Sequence, residues 1–200
     1  GYLALCTQNL PDPAIADGSE HFNTVLYTGN GSTQSITGVG FQPDFTWIKV
    51  RSTTNSHYLF DQIRGADQAL FSDTTSVETD YSSTGRMTSF DTDGFTVKYS
   101  SSTGTNASSN TYAAWNWKAG GTGVANTDGT ISSTVSANPT AGFSIVSYTG
   151  TGSADTIGHG LTSAPEMVII KSRTGVTNWV VYTDLVDGSW DYLYLNTSAA

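Results

Sequence analysis

Acid–base, metal or nucleophilic chemistry in this 200-residue chain rests on 17 acidic side chains, three histidines and one cysteine. Glycoside hydrolysis needs two carboxyl groups flanking the bond to be cut. Glu78-Thr79-Asp80 begins an E-x-D-x-x-E pattern, but Ser83 stands where the second Glu belongs, and Glu20 and Glu166 are the only other glutamates. Asp91-Thr92-Asp93-Gly94 resembles the middle of a calcium loop, yet Ser89 and Ser100 occupy the first and last ligand positions, and an EF-hand needs a bidentate Glu at the end. A looser Ca²⁺ site of loop carboxylates and carbonyls stays open beside the simpler reading, an Asp-Gly hairpin turn. His21, His57 and His159 do not stand at zinc-ligand spacing. There is no G-x-S-x-G elbow, and the pairs Gly29/Gly31, Gly38/Gly40 and Gly150/Gly152 lack the third glycine of a dinucleotide loop. The expectation is a non-enzymatic protein with no catalytic residue, metal site or cofactor.

Aromatic side chains, 12% of the chain, offer a different chemistry, because their apolar faces stack on sugar rings. Trp115 and Trp117 share one face of a strand, and Tyr58, Tyr81, Trp179 and Trp190 lie where loops could present them. These six are the candidate ligand contacts. Core packing competes with that role, since each Trp buries upwards of about 150 Å². Trp47, matched by the smaller Ile169 in a second copy described below, is expected to point inward.

The elements that position these residues read as strands. Charged residues are only 12% of the chain, and Gly, Ser, Thr and Asn are abundant, a balance of turn-rich β-sandwiches. Thr24–Thr28 meets Asn30-Gly31, a strong hairpin signal, and Ser35–Thr37 is the expected return. Phe45–Arg51 alternates with period two, Phe45, Trp47, Lys49 and Arg51 on one face and Thr46, Ile48 and Val50 on the other. Further strands are predicted at 57–60, 69–72, 87–90, 95–99 and 112–118, with surface loops at 73–85 and 100–110.

FNTVLYTGNGSTQSITGVGFQPDFTWIKVR, from Phe22 to Arg51, returns as FSIVSYTGTGSADTIGHGLTSAPEMVIIKSR from Phe143 to Arg173. Phe143 follows Phe22 by 121 positions, and Lys171 follows Lys49 by 122. That period exceeds the roughly 20–50 residues of solenoids, so each copy is a folding module. Residues 1–20 read as a linker, 21–120 as a first sandwich, 121–140 as a Gly/Ser/Thr-rich connector with room for a small hairpin after Asn126, and 141–200 as a second module. Its strands are expected at 144–149, 166–173, 179–182 and 192–195. No counterpart of the Asp-Thr-Asp-Gly hairpin or of the Trp115-Asn116-Trp117 strand follows. Either another segment supplies those strands, or the second module is incomplete. The recurrence of Lys49/Lys171 and Arg51/Arg173 predicts a shared role in the fold, such as a salt link to Asp61 or Asp184.

A net charge of −9 and a pI near 4.4 argue against a nucleic-acid surface, which needs clustered Lys and Arg. Cys6 is the only cysteine, so no intrachain disulfide framework forms. No apolar run reaches the length of about 18 residues that suggests a membrane span, and GYLALCTQNL lacks the pattern of a signal peptide. Without an initiator Met, the chain reads as a piece of something longer. Sequons at Asn30, Asn106 and Asn196 matter only in a eukaryotic secretory pathway.

The segments HFNTVLYTGNGSTQSITGVGFQPDFTWIK, TSFDTDGFTV, NTYAAWNWKAGG and NPTAGFSIVSYTGTGSADTIGHGL resemble a repeated domain of unknown function in virion proteins of tailed, especially marine, bacteriophages. Gly1–Pro13 resembles the tail of a SPRY-like domain that often precedes it. The resemblance implies an all-β fold of tandem concanavalin or jelly-roll-like antiparallel sandwiches in a fibre, tail or capsid appendage at the virion surface. It implies host attachment through a host-surface glycan or protein, with other virion proteins and a homo-oligomer, commonly a trimer, as partners. It carries no catalytic residues. A carbohydrate-binding lectin-like module of a bacterial or viral surface protein is the alternative.

Overall fold

A computed structural model describes residues 15–99, 104–185, 188, 189 and 191–198. The chain is all-β, with no α-helix among the described residues and one 3-10 turn, Gly18–Glu20, capped by Asp17, which accepts from the Ser19 N–H at 2.9 Å. Nine strands form a first unit: β1 (Phe22–Thr28), β2 (Thr33–Thr37), β3 (Phe45–Val50), β4 (Tyr58–Asp61), β5 (Gly65–Phe71), β6 (Thr79–Asp80), β7 (Met87–Asp91), β8 (Gly94–Lys98) and β9 (Thr111–Trp117). They make a six-stranded antiparallel sheet in the order β1-β9-β3-β4-β5-β6 and a three-stranded sheet β2-β8-β7.

The two sheets close on one core. Ile36, Met87, Phe95 and Val97 come from the smaller sheet, and Ile48, Val50, Tyr58, Phe60, Tyr112 and Ala114 from the larger. Full burial of each large side chain is worth about 1.5–3 kcal/mol. Asn116 also lies on the inner face, fully buried. It accepts from Thr46 Oγ1 at 3.1 Å and donates to the Asn23 and Ala114 carbonyls at 3.2 and 3.1 Å. One satisfied amide thus stitches β1, β9 and β3, which is why a polar residue sits between two tryptophans.

Three expectations are corrected here. In β3, Thr46, Ile48 and Val50 are the buried residues, and Trp47 stands on the outer face of the sheet. The outer face gives its indole N–H an acceptor, His57 Nδ1 at 2.8 Å, which a buried Trp needs. The Asn30-Gly31 turn does not close a hairpin, because β1 pairs with β9 and β2 with β8; it carries the chain from one sheet to the other. The Lys49 and Lys171 ammonium groups do not meet carboxylates. Each donates to backbone carbonyls of the loop after its strand, Asn55 at 2.7 Å for Lys49, Ser172 and Gly175 at 2.8 and 3.2 Å for Lys171. Arg64 takes Asp61 and Arg173 takes Glu78.

The second unit has two smaller antiparallel sheets. One is β10 (Val124–Asn126), β11 (Ser133–Asn138) and β12 (Phe143–Tyr148); the other is β13 (Met167–Ile170), β14 (Val180–Thr183) and β15 (Asp191–Tyr194). β11 pairs along its length with β12, so the stretch read as a connector contributes two strands to this unit.

Contacts among the described residues tie the units, including Asn138 Nδ2 on the Lys118 carbonyl at 3.1 Å and Lys171 Nζ on the Thr75 carbonyl at 3.3 Å. Trp117 packs against Phe22 and Phe45 of the first unit and stacks on Phe143 of the second, with centroids 4.9, 5.3 and 6.1 Å away. Trp179 joins Leu59 and Leu70, with Phe45 and Trp47 around them, on the outer face of the six-stranded sheet. Glu78 lies between Arg64 at 3.1 Å and Arg173 at 2.7 Å, and its backbone N–H donates to the Arg173 carbonyl at 2.8 Å. The 73–85 segment, expected as a surface loop, therefore faces the second unit and contains β6.

Candidate functional site: a loop-built cleft

The segment after β1 and the segment before β9 meet at one end of the sandwich. Gly29 N–H donates to the Asn110 carbonyl at 2.8 Å, Gly31 N–H to the Asn106 carbonyl at 3.0 Å, and Ser109 N–H to the Gly29 carbonyl at 3.0 Å. Such close backbone approach needs glycine: a Cβ on Gly29 would stand 2.2 Å from the Ala107 carbonyl oxygen. Asn106, fully buried, clamps the pair. Its Oδ1 accepts from the Asn30 N–H at 3.1 Å, and its Nδ2 donates to Asn30 Oδ1 and the Ser32 carbonyl at 2.9 and 2.8 Å. That sequon has no amide to spare for a glycan.

Beneath the loops, Tyr27 donates its hydroxyl to the Thr105 carbonyl at 2.6 Å, and the Tyr112 hydroxyl accepts from the Ala107 N–H at 2.9 Å. The two rings stack with centroids 4.9 Å apart, and burial pushes the Tyr27 phenol well above its ordinary range. These hydroxyls stay protonated and act as fixed supports.

The loops frame a cleft of about 470 Å³ lined by Asn30, Gly31, Tyr99, Ala107, Ser108 and Asn110, within the usual size range of ligand sites. Tyr99 is 40% exposed and is held by its N–H on the Ser32 carbonyl at 2.8 Å. Ser109, beside the cleft, has φ of 66°, the one positive-φ residue other than glycine among the described residues. Such strain costs about 1–3 kcal/mol and gathers at ligand sites. Among the described residues, the lining carries no ionisable group besides the Tyr99 phenol. An aromatic face with amide and hydroxyl groups suits a neutral, hydroxyl-rich ligand, and offers neither a nucleophile with a base nor a carboxylate pair.

The six aromatic candidates are not gathered into one site. Tyr58 is 6% exposed and lies in strand β4, inside the sandwich against Phe60 and Phe71. Tyr81 is half-buried, with the Arg86 guanidinium carbon 4.3 Å from its ring centroid. Trp179 is 6% exposed, its indole N–H spent on the Phe71 carbonyl at 2.7 Å. Trp117 is enclosed by three phenylalanines at the junction. Trp115 stands half-buried on the outer face opposite Trp47, centroids 6.4 Å apart. Trp190 lies outside the described residues. The cleft residues escaped the sequence reading, which treated Asn30 as a turn and 100–110 as a flexible loop.

The acidic motifs are occupied by structural duties. Asp93 accepts from the Gly38 and Gly40 N–H groups at 3.0 and 2.6 Å, which hold its carboxyl below the usual range. Burial raises Glu78, but hydrogen bonds from Arg173 and Arg64 outweigh it and hold that carboxyl low. Glu78 thus stays ionised and is a poor general acid. Among the described residues no group of three His, Cys, Asp or Glu side chains is placed to hold a metal ion, and no helix is long and apolar enough to cross a membrane.

A protein-family model whose description is "Domain of unknown function (DUF7483)" matches residues 17–200. No curated protein and no solved structure matches the chain.

Proposed function

We propose that this chain, which belongs to the family of the Domain of unknown function (DUF7483), is a non-enzymatic structural module of a bacteriophage virion appendage that presents the loop-built cleft to a host surface. The observation that carries the reading is the construction of the cleft: 29–31 and 104–110 are locked together by a buried Asn106 and by backbone hydrogen bonds, while Tyr99, Asn30, Ser108 and Asn110 remain at the surface. A rigid frame with Tyr99 and Ser108 exposed on it favours recognition, since little ordering is left to be done on binding. The tied units and the engaged carboxylates support a scaffold in preference to a hydrolase. Mass spectrometry of purified phage particles tests the reading; its absence from particles, with the chain present in infected cells, sinks it.

A second reading, a lectin-like module of a bacterial or viral surface protein, is favoured by the exposed Tyr99 ring with the Ser108 hydroxyl beside it in the cleft, because ring stacking with hydroxyl hydrogen bonds alongside suits a neutral sugar. A glycan array decides it. Binding that Tyr99→Ala abolishes supports a sugar site in the cleft, and no binding to any glycan removes this second reading.

A further inference from the structure

The internal repeat shows what is missing between two strands of the second unit. In the first unit β9 lies between β1 and β3 and pairs with both, in the registers Phe22↔Trp117↔Phe45 and Thr24↔Trp115↔Trp47. The repeat equates β12 with β1 through Phe143 and Phe22, and β13 with β3 through Lys171 and Lys49. The pairing that follows is kept as well: Ile170 faces Val180 as Ile48 faces Tyr58. Yet β12 ends one sheet and β13 ends another, with no described strand between them. Each presents an edge of unused N–H and C=O groups, which sheets ordinarily cover.

Two further observations bear on a strand position that no described residue fills. Met167 and Ile169, the counterparts of Phe45 and Trp47, are 53% and 47% exposed, whereas Phe45 and Trp47 are half-buried, beside Trp117 and Trp115 within the sheet and against Trp179 from outside. Arg173, just past β13, reaches Ser147 Oγ on β12 at 3.3 Å, so one extended side chain spans the interval. Strands flanking a third lie about 9–10 Å apart, a distance such a side chain covers.

We propose that this slot receives a strand of the β9 kind from the same polypeptide, one repeat period beyond β9. The occupant is an extended segment of about seven residues that pairs antiparallel with β12 on one side and β13 on the other. It carries small or polar residues on the face continuing Ala114 and Asn116, and aromatic or aliphatic residues on the face that covers Met167 and Ile169. Backbone pairing supplies the affinity, and the side-chain alternation sets the register.

The test uses the 200-residue chain and a synthetic peptide with the sequence of residues 111–118, TYAAWNWK, followed by amide hydrogen exchange. The peptide is expected to bind one per chain and to slow exchange at least about tenfold in both 143–148 and 167–170, while a scrambled peptide of the same composition leaves both unchanged. Protection of neither strand, or of only one, overturns the proposal. So does protection present without peptide that disappears on dilution, because a second copy would then fill the slot.

Discussion

Trp179 of the second unit donates its indole N–H to the Phe71 carbonyl oxygen of the first across 2.7 Å, and its ring completes the cluster of Leu59 and Leu70 on the outside of the larger sheet. The pairing gives the outer face of the first sandwich a second, smaller core and turns two repeats into one tied body. Trp179→Ala is expected to cost about 3–5 kcal/mol, the usual range for emptying a buried Trp site. Hydrogen exchange should rise in β13 to β15 and stay low in β3, β8 and β9. Uniform exchange in both units would mean that the cluster does not couple them.

Glu78 gives the junction a pH dependence of determined sign. Its folded carboxyl lies below the ordinary value of 4.5, so its contribution is fully present above that value and is lost as pH falls through the folded one. Thermal unfolding followed from pH 6 to pH 3 should show a decline that Glu78→Gln flattens. At pH 7 the same variant should be less stable by about 1–3 kcal/mol, since Arg64 keeps Asp61 but loses one carboxylate. Asp44 acts in the opposite direction. Burial raises it against the Gly121 and Ala119 N–H groups, so its share falls as pH rises above 3.8, and Asp44→Asn is the control that separates the two.

Asn106 and Gly29 test the frame of the cleft. Asn106→Ala removes three hydrogen bonds from a fully buried position and should cost about 1–3 kcal/mol. Gly29→Ala drives a Cβ into the Ala107 carbonyl, with a loss of about 2 kcal/mol or more through displaced backbone. Both should raise exchange at 104–110 before the sandwich itself unfolds. Asn116→Ala, in the core, should instead destabilise by about 1–3 kcal/mol without opening those loops.

Tyr99→Ala separates recognition from stability. The ring is 40% exposed, so the unfolding free energy should change by no more than about 0.5 kcal/mol, the range expected for surface substitutions. Attachment to host cells or glycan should fall at least tenfold, in line with the loss of an aromatic anchor worth about 1.4 kcal/mol or more.

Most strands were legible in the sequence because period-two alternation is a local property. Phe45–Val50, Met87–Asp91 and Thr111–Trp117 fall within a residue or two of where patterning and turn residues put them. Which face turns inward was less legible. β3 has an aromatic face and an aliphatic face, and the inward choice fell to Ile48 and Val50 because the second unit covers Trp47 from outside. The cleft was not legible, since it joins Asn30 to Asn106 across 76 positions, and no local pattern announces a contact between two loops. The repeat itself was the most informative signal. It matches β13 pairing with β14 to β3 pairing with β4 and, through the strand that has no counterpart, points to the interval between β12 and β13.

Display of the loop-built cleft on a virion surface is tested most directly by immunogold electron microscopy of intact phage particles with an antibody raised against the folded chain. Gold is expected on an external appendage, with reduced adsorption of the labelled particles to host cells. Unlabelled intact particles, with the label appearing only after disruption or only in the infected-cell lysate, would contradict it.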